Sequence, residues 1–196
     1  PAEYFLREPG VSIAWIAFRK RAAVGSREQD RVKAVALERV EAYVRLRERL
    51  TYEPAAPFPK GVPSETLSDA EAAAHRLREA WGLDDLPIES MTDLIEDREG
   101  IVVELEGSAD AVDGLAGIAN GCHAVVVVDP AVEDDRKRFT LAHELGHLIM
   151  DEGATADPDT GERLANRFAS AFLVPKEIAV KELGAKRTSL SFEELK

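Results

Sequence analysis

The apolar positions of this chain change period several times, and each change marks an element. Over residues 26–50, Val32, Ala36, Val40, Tyr43 and Leu50 recur at helical spacing with charges between them, which predicts one long amphipathic helix. Such a face packs on the rest of the chain or pairs with a second copy as a homodimer; packing within the chain is the expectation. Residues 51–66 carry four prolines and a glycine and read as an extended linker or surface strap. They divide the chain into residues 1–60, a helical segment and linker, and residues 61–196, the main domain. Ser68 with Glu71 has capping-box spacing, so a helix is expected there, with Ala70, Ala74, Leu77 and Trp81 as its buried face. A short helix over 91–98 follows, and Gly100 suits its stop.

The period then shifts toward strands. Residues 101–105, Ile-Val-Val-Glu-Leu, are rich in β-branched side chains. Runs at 115–119 and 123–129 flank Asn120-Gly121, a hairpin signal because a type I′ turn needs positive φ at both central positions. The run 124–128 has no polar interruption and predicts a strand buried on both faces. Residues 132–150 return to helical spacing with two apolar stripes, one of Phe139, Ala142, Gly146 and Ile149, the other of Leu141, Leu145 and Leu148. A helix apolar on two sides is buried on two sides. An acidic loop over 151–159 leads to a helix capped by Asp159 or Thr160 and running to Val174. Pro175 then opens a short helix over 176–183.

Composition narrows the function classes. The 196 residues are 45% hydrophobic and 32% charged, an ordinary globular balance. No apolar run suits a transmembrane helix and no signal peptide is visible, so no membrane role is expected. Pro1 in place of Met predicts a processed or excised piece. Cys122 is the sole cysteine, which excludes an internal disulfide framework and fits the cytoplasm. The net charge of −12 repels phosphate backbones, so no nucleic acid is expected to bind this segment itself. The clusters Arg19-Lys20-Arg21 and Arg136-Lys137-Arg138 read as solvated helix ends.

One string carries chemistry. His143-Glu144-Leu145-Gly146-His147 matches H-E-x-x-H. Four residues along a helix is one turn plus about 40°, so both imidazoles leave one face and reach one metal. Glu144 is rotated about 100° from His143, which places it beside the attacking water as general base. A catalytic zinc takes three protein ligands. The pattern with a third histidine fails, because Met150 and Gly153 stand at its glycine and histidine positions. The remaining ligand is then an acid from Asp151, Glu152, Asp157, Asp159 and Glu162. Glu162 is the first choice, since Ala165, Phe168, Ala169 and Phe172 would pack its helix on the histidine helix. Asp151, one turn beyond His147, is the next.

The bland alternative is a chance string on a helix surface. Two histidines and a glutamate inside an apolar helix are costly unless paired or metal-bound, which favours the metal. Gly146 marks either close approach of a strand or substrate, or tight helix packing. Asn166, one turn after Glu162, is expected to orient that carboxylate. His75 is expected to face solvent, His123 to sit at a hairpin edge, and Cys122 not to be a ligand.

These residues resemble the ImmA/IrrE-type metallopeptidases, peptidase family M78. The likeness lies in Arg138 to His147, in Glu162-Arg163-Leu164-Ala165-Asn166-Arg167-Phe168-Ala169, in Phe172-Leu173-Val174-Pro175, and in Asp113-Gly114-Leu115-Ala116-Gly117. Together these span about residues 68–183. The resemblance implies a zincin-like α+β fold with helices packed around a small antiparallel sheet. It implies His143, His147 and Glu162 as metal ligands and Glu144 as the catalytic acid. Many relatives have an acid two residues before the Asn166 position, where this chain has Leu164. The implied metal is Zn²⁺, with Mn²⁺ as the alternative, and the implied substrate is a bacterial Xre-type helix-turn-helix repressor. Tyr4 to Pro9 and Phe18 to Arg21 resemble the junction in fusions where an Xre-type DNA-binding domain precedes the peptidase. Such a domain, absent from this chain, would be the part that binds DNA. The competing reading is a metal-containing sensor or interaction module of a transcriptional regulator, without proteolysis. Glu144 favours the enzyme, because a structural metal site needs no base.

Overall fold

The computed structural model describes residues 10–20, 26–50, 58–107, 112–151 and 158–184. In chain order these form β1 (Ile13–Lys20), α1 (Ser26–Arg49), β2 (Val62–Pro63), α2 (Leu67–Ala80), α3 (Met91–Asp97), β3 (Ile101–Glu104), β4 (Val112–Ala119), β5 (His123–Val128), α4 (Asp134–Ile149), β6 (Met150–Asp151), α5 (Pro158–Leu173) and α6 (Lys176–Leu183). The α+β class and the long N-terminal helix are as expected. The main sheet, in the order β1-β4-β5-β3, is mixed and not purely antiparallel, because β3 runs parallel to β5. A strand over Ile13–Lys20 was not expected from the sequence.

The sheet separates two cores, and the period-2 alternation of β5 explains how. Val125 and Val127 face α1, joining Ile101, Val103, Leu115 and Ala119 with Val32, Ala36, Val40 and Val44 of the helix. Ala124, Val126 and Val128 face the other way, toward a larger core with Leu141, Leu145, Phe168 and Phe172. The run 124–128 is therefore buried on both faces, as its composition required. The long helix packs within the chain, but its stripe runs through Val44; Tyr43 is half-buried and Leu50, beyond the helix end, is exposed.

Local signals set the helix ends with small shifts. The capping box of α2 uses Thr66 and Asp69, not Ser68 and Glu71: the Thr66 side chain accepts from Asp69 N while Asp69 Oδ2 accepts from Thr66 N at 2.8 Å. A shorter acid closes the same reciprocal pair two residues earlier. At the end of α3 the left-handed position falls on Glu99 (φ 66°), not Gly100. Gly100 N donates to Ile95 O and Glu99 N to Glu96 O, a Schellman closure. Gly100 is needed for closeness, since a Cβ there would stand 2.4 Å from Ile95 Cγ2. Asn120 (φ 48°) and Gly121 (φ 73°) form the expected turn, closed by Cys122 N donating to Ala119 O.

Of the expected linker, residues 51–57 lie outside the described residues. The rest is a packed strap. Phe58 is buried edge-on against Trp81, which in turn meets Phe172. Val62 and Pro63 then pair with Met150 and Asp151, so the strap clips the C-terminal end of α4. Arg78, 3% exposed, donates to the carbonyls of Phe172, Asp84 and Leu86, and joins α2 to the end of α5. Burial pushes its pKa below the ordinary arginine value. Among the described residues no helix is long and apolar enough to cross a membrane.

Helix α5 holds the site together from behind. Leu164, Ala165, Phe168, Ala169 and Phe172 are buried along one stripe. A Cβ on Gly146 would come within 3.0–3.3 Å of the Phe168 side chain, so that glycine serves helix packing and not strand approach. Phe168→Ala is expected to destabilise the fold by about 3–5 kcal/mol. Urea denaturation checks it through a lower midpoint at unchanged slope.

Candidate metal centre

Helix α4 is buried from Thr140 through Ile149, between the sheet and α5. Its apolar stripes turn His143, Glu144 and His147 inward with them. His143 and Glu144 are each 1% exposed and His147 is 7% exposed. The basic first turns lie at the surface, as expected, and find partners there: Lys137 reaches Glu104, and Arg138 donates to the carbonyls of Ile88 and Glu89.

Three donor atoms converge. His143 Nε2 lies 3.1 Å from His147 Nε2 and 3.4 Å from Glu162 Oε2, and His147 Nε2 lies 3.7 Å from Glu162 Oε1. Ligands about 2.0–2.1 Å from a tetrahedral zinc stand about 3.3–3.4 Å apart, so these spacings are those of a tetrahedron's edges. Two imidazoles and a carboxylate also suit a divalent ion chemically. The residues fit the metal, and among the described residues they are the one His/Cys/Asp/Glu group that does. Hydrogen bonding to His143, then to His147, holds the Glu162 carboxyl well below the usual carboxylate range, outweighing its burial. It is therefore a charged acceptor throughout the neutral range.

Asn166 supports a histidine. Its Oδ1 lies 3.0 Å from His143 Nδ1, although the expectation gave it to Glu162. With that oxygen as acceptor, the His143 proton sits on Nδ1 and Nε2 presents its lone pair to the centre. Asn166→Ala is expected to weaken metal affinity by about 10–100-fold without unfolding the chain. Titration against a chelating dye reads the affinity, and circular dichroism reads the fold.

Glu144 is absent from the donor group and points at the sheet. Along β4, Gly114, Ala116 and Ile118 alternate onto the α4 side. A Cβ on Gly114 would stand 2.5 Å from Glu144 Oε1 and 2.7 Å from Thr140 Cγ2. Gly114 thus makes the space that the carboxylate fills. Sequence reasoning flagged residues 113–117 only through resemblance; a glycine facing an acidic helix position across a sheet carries no local signal.

The other candidates fall elsewhere. Asp151 is exposed in β6, with its carbonyl accepting from Ser64 N. Asp159 is exposed in the first turn of α5, while Glu152 and Asp157 lie outside the described residues. His75 is exposed beside Glu79, as expected. His123 and Cys122 sit at the tip of the β4–β5 hairpin; His123 pairs with Ala119, five residues along β4 from Gly114 and so about 17 Å away. Burial pushes His123 below its ordinary pKa.

A helix presenting His-Glu-x-x-His beneath a sheet, met by a carboxylate from the next helix, makes a site that could hold a divalent ion with a second acid beside it. Residues 96–192 match the Peptidase_M78 family model, described as IrrE N-terminal-like domain. The chain is also 36% identical over 73 residues to the radiation response metalloprotease IrrE of Deinococcus radiodurans. That match covers 31% of this chain and 22% of the relative, so the chain spans about a fifth of the length of the curated protein it matches. Over residues 96–192 the chain is thus similar to the ImmA/IrrE-type M78 peptidases.

Proposed function

We infer that this chain hydrolyses a peptide bond in a protein partner, with His143, His147 and Glu162 holding zinc and Glu144 acting as general base. The observation that carries this is the convergence of three donors at tetrahedral spacing beside a buried carboxylate that is not one of them. A bound divalent ion would polarise the scissile carbonyl and acidify the attacking water. Glu144 takes the proton as the water oxygen bonds to the carbonyl carbon. It returns that proton to the amide nitrogen as the C–N bond breaks. Asn166 keeps the proton of His143 away from the centre. Glu162 supplies the negative charge that offsets the ion.

The substrate we favour is a helix-turn-helix repressor of the Xre type, the class that the family likeness suggests. Charge supports it: a chain with net charge −12 repels DNA itself and steers toward basic, DNA-binding proteins. The reading places the reaction in the cytoplasm of a bacterium. The test is to measure bound metal and then incubate the chain with a purified repressor, before and after chelation and after zinc is restored. Cutting that follows the metal supports the reading. Metal bound without cutting would leave the sensor module in its place.

A further inference from the structure

The position of Glu144 raises the question of how a peptide comes near it. Extended peptides find their backbone partners on strand edges. The strand nearest Glu144 is β4, at Gly114, and both of its edges are taken, by β5 and by β1. Among the described residues the free edges of the sheet are the outer sides of β1 and β3, and a peptide added to either would lie two or three strands from β4, about 10 Å away or more. Strand β5 is the buried centre of the fold and cannot leave. Strand β1 is held unevenly. Ile13 and Trp15 pack into the α1 core, and a Cβ on Gly117 would meet Trp15 Cε3 at 2.8 Å, so this half is keyed to β4. Beyond it the register slips twice, between Trp15 and Ala17 and between Phe18 and Lys20. Each slip interrupts the regular ladder and leaves a residue of β1 without a register partner on β4. The interrupted half runs beside residues 112–116, the stretch that includes Gly114.

We propose that residues 17–20 of β1 occupy the place of a peptide substrate on the β4 edge, and that an extended peptide reaches the centre by displacing them while Ile13 and Trp15 stay anchored. This rests on the reading of the centre as a peptidase. The occupant competes from within the chain, so apparent peptide affinity falls by the fraction of time the edge is open. Whatever pulls residues 17–20 off β4 raises activity, and whatever holds them down lowers it.

The test pins the interrupted half in place. Lys20 pairs with Val112 in the register. Antiparallel partners stand about 4.5–5.5 Å apart between Cα atoms, within disulfide range. The full chain carrying Lys20→Cys, Val112→Cys and Cys122→Ser is loaded with zinc and titrated with a tripeptide hydroxamate, oxidised and then reduced. Binding about tenfold or more weaker in the oxidised form, recovered on reduction, is the expected result. Amide exchange over 13–20 in the unsubstituted chain should speed up when the hydroxamate binds, while 123–128 stays protected. Equal binding in both redox forms with no change in exchange overturns the proposal, and so does a zinc-loaded chain that binds no hydroxamate in either form. Displacement of β1 by a chain that cuts no repressor would sustain the proposal and sink the peptidase reading instead.

Discussion

Glu144→Gln is expected to retain its metal and lose about 10²–10⁴-fold in the rate of repressor cleavage. The substitution keeps the volume of a side chain that is 1% exposed, so it opens no cavity beneath β4. It leaves the donors on His143, His147 and Glu162 untouched, because Glu144 is not among them. What disappears is the group that, in the proposed mechanism, takes the proton of the attacking water. The amide of glutamine accepts a hydrogen bond but does not take up that proton at neutral pH. Metal content, thermal midpoint and cleavage rate measured on one preparation separate these effects. His147→Ala gives the contrasting pattern, with metal and activity lost together. A Glu144→Gln chain that kept more than about a tenth of the rate would remove Glu144 from the mechanism.

How much of this was legible in the sequence depends on how far apart the interacting residues lie. His143, Glu144 and His147 were readable because helix geometry alone turns a four-residue spacing into a shared face. Glu162 was readable at one remove. The apolar stripe of Ala165, Phe168, Ala169 and Phe172 showed that its helix had to pack on another, and the acid rode in the first turns. Asn166 was placed on the right helix, but its bond to His143 was not foreseen. Whether an amide meets the carboxylate one turn behind it or an imidazole across the interface depends on how α4 and α5 pack, which no local pattern states. Strand β1 was missed although Val11, Ile13 and Trp15 alternate, because the basic run after Phe18 drew the reading toward a junction. The parallel pairing of β3 with β5 was not readable at all. Pairing partners among several short apolar runs are chosen by the whole sheet, and a hairpin signal fixes only β4 with β5.

Gly114 is the residue whose role the structure alone reveals, and its substitution has the second large effect expected. Its φ is not among the positive ones, so alanine meets no backbone penalty there. The penalty is steric and local. An added Cβ would stand 2.5 Å from Glu144 Oε1, 2.9 Å from Glu144 Cγ and 2.7 Å from Thr140 Cγ2. Thr140 and Glu144 are one turn apart on a helix packed on both sides, so the backbone of α4 has no room to retreat. The mobile party is the Glu144 carboxylate, which must swing away from β4 and, in the proposed mechanism, out of line with the attacking water. Gly114→Ala is therefore expected to lower kcat by about 10²-fold, since a misplacement of about 1 Å costs that much. KM and metal content should change little, and overpacking should cost about 1–3 kcal/mol of stability. A double-mutant cycle with Glu144→Gln identifies the route. If Gly114 acts through the base, adding Gly114→Ala to Glu144→Gln lowers the residual rate by much less than the same change does alone. Equal losses in the two backgrounds would mean that the added methyl acts on the fold at large, and the cradle assignment would be wrong.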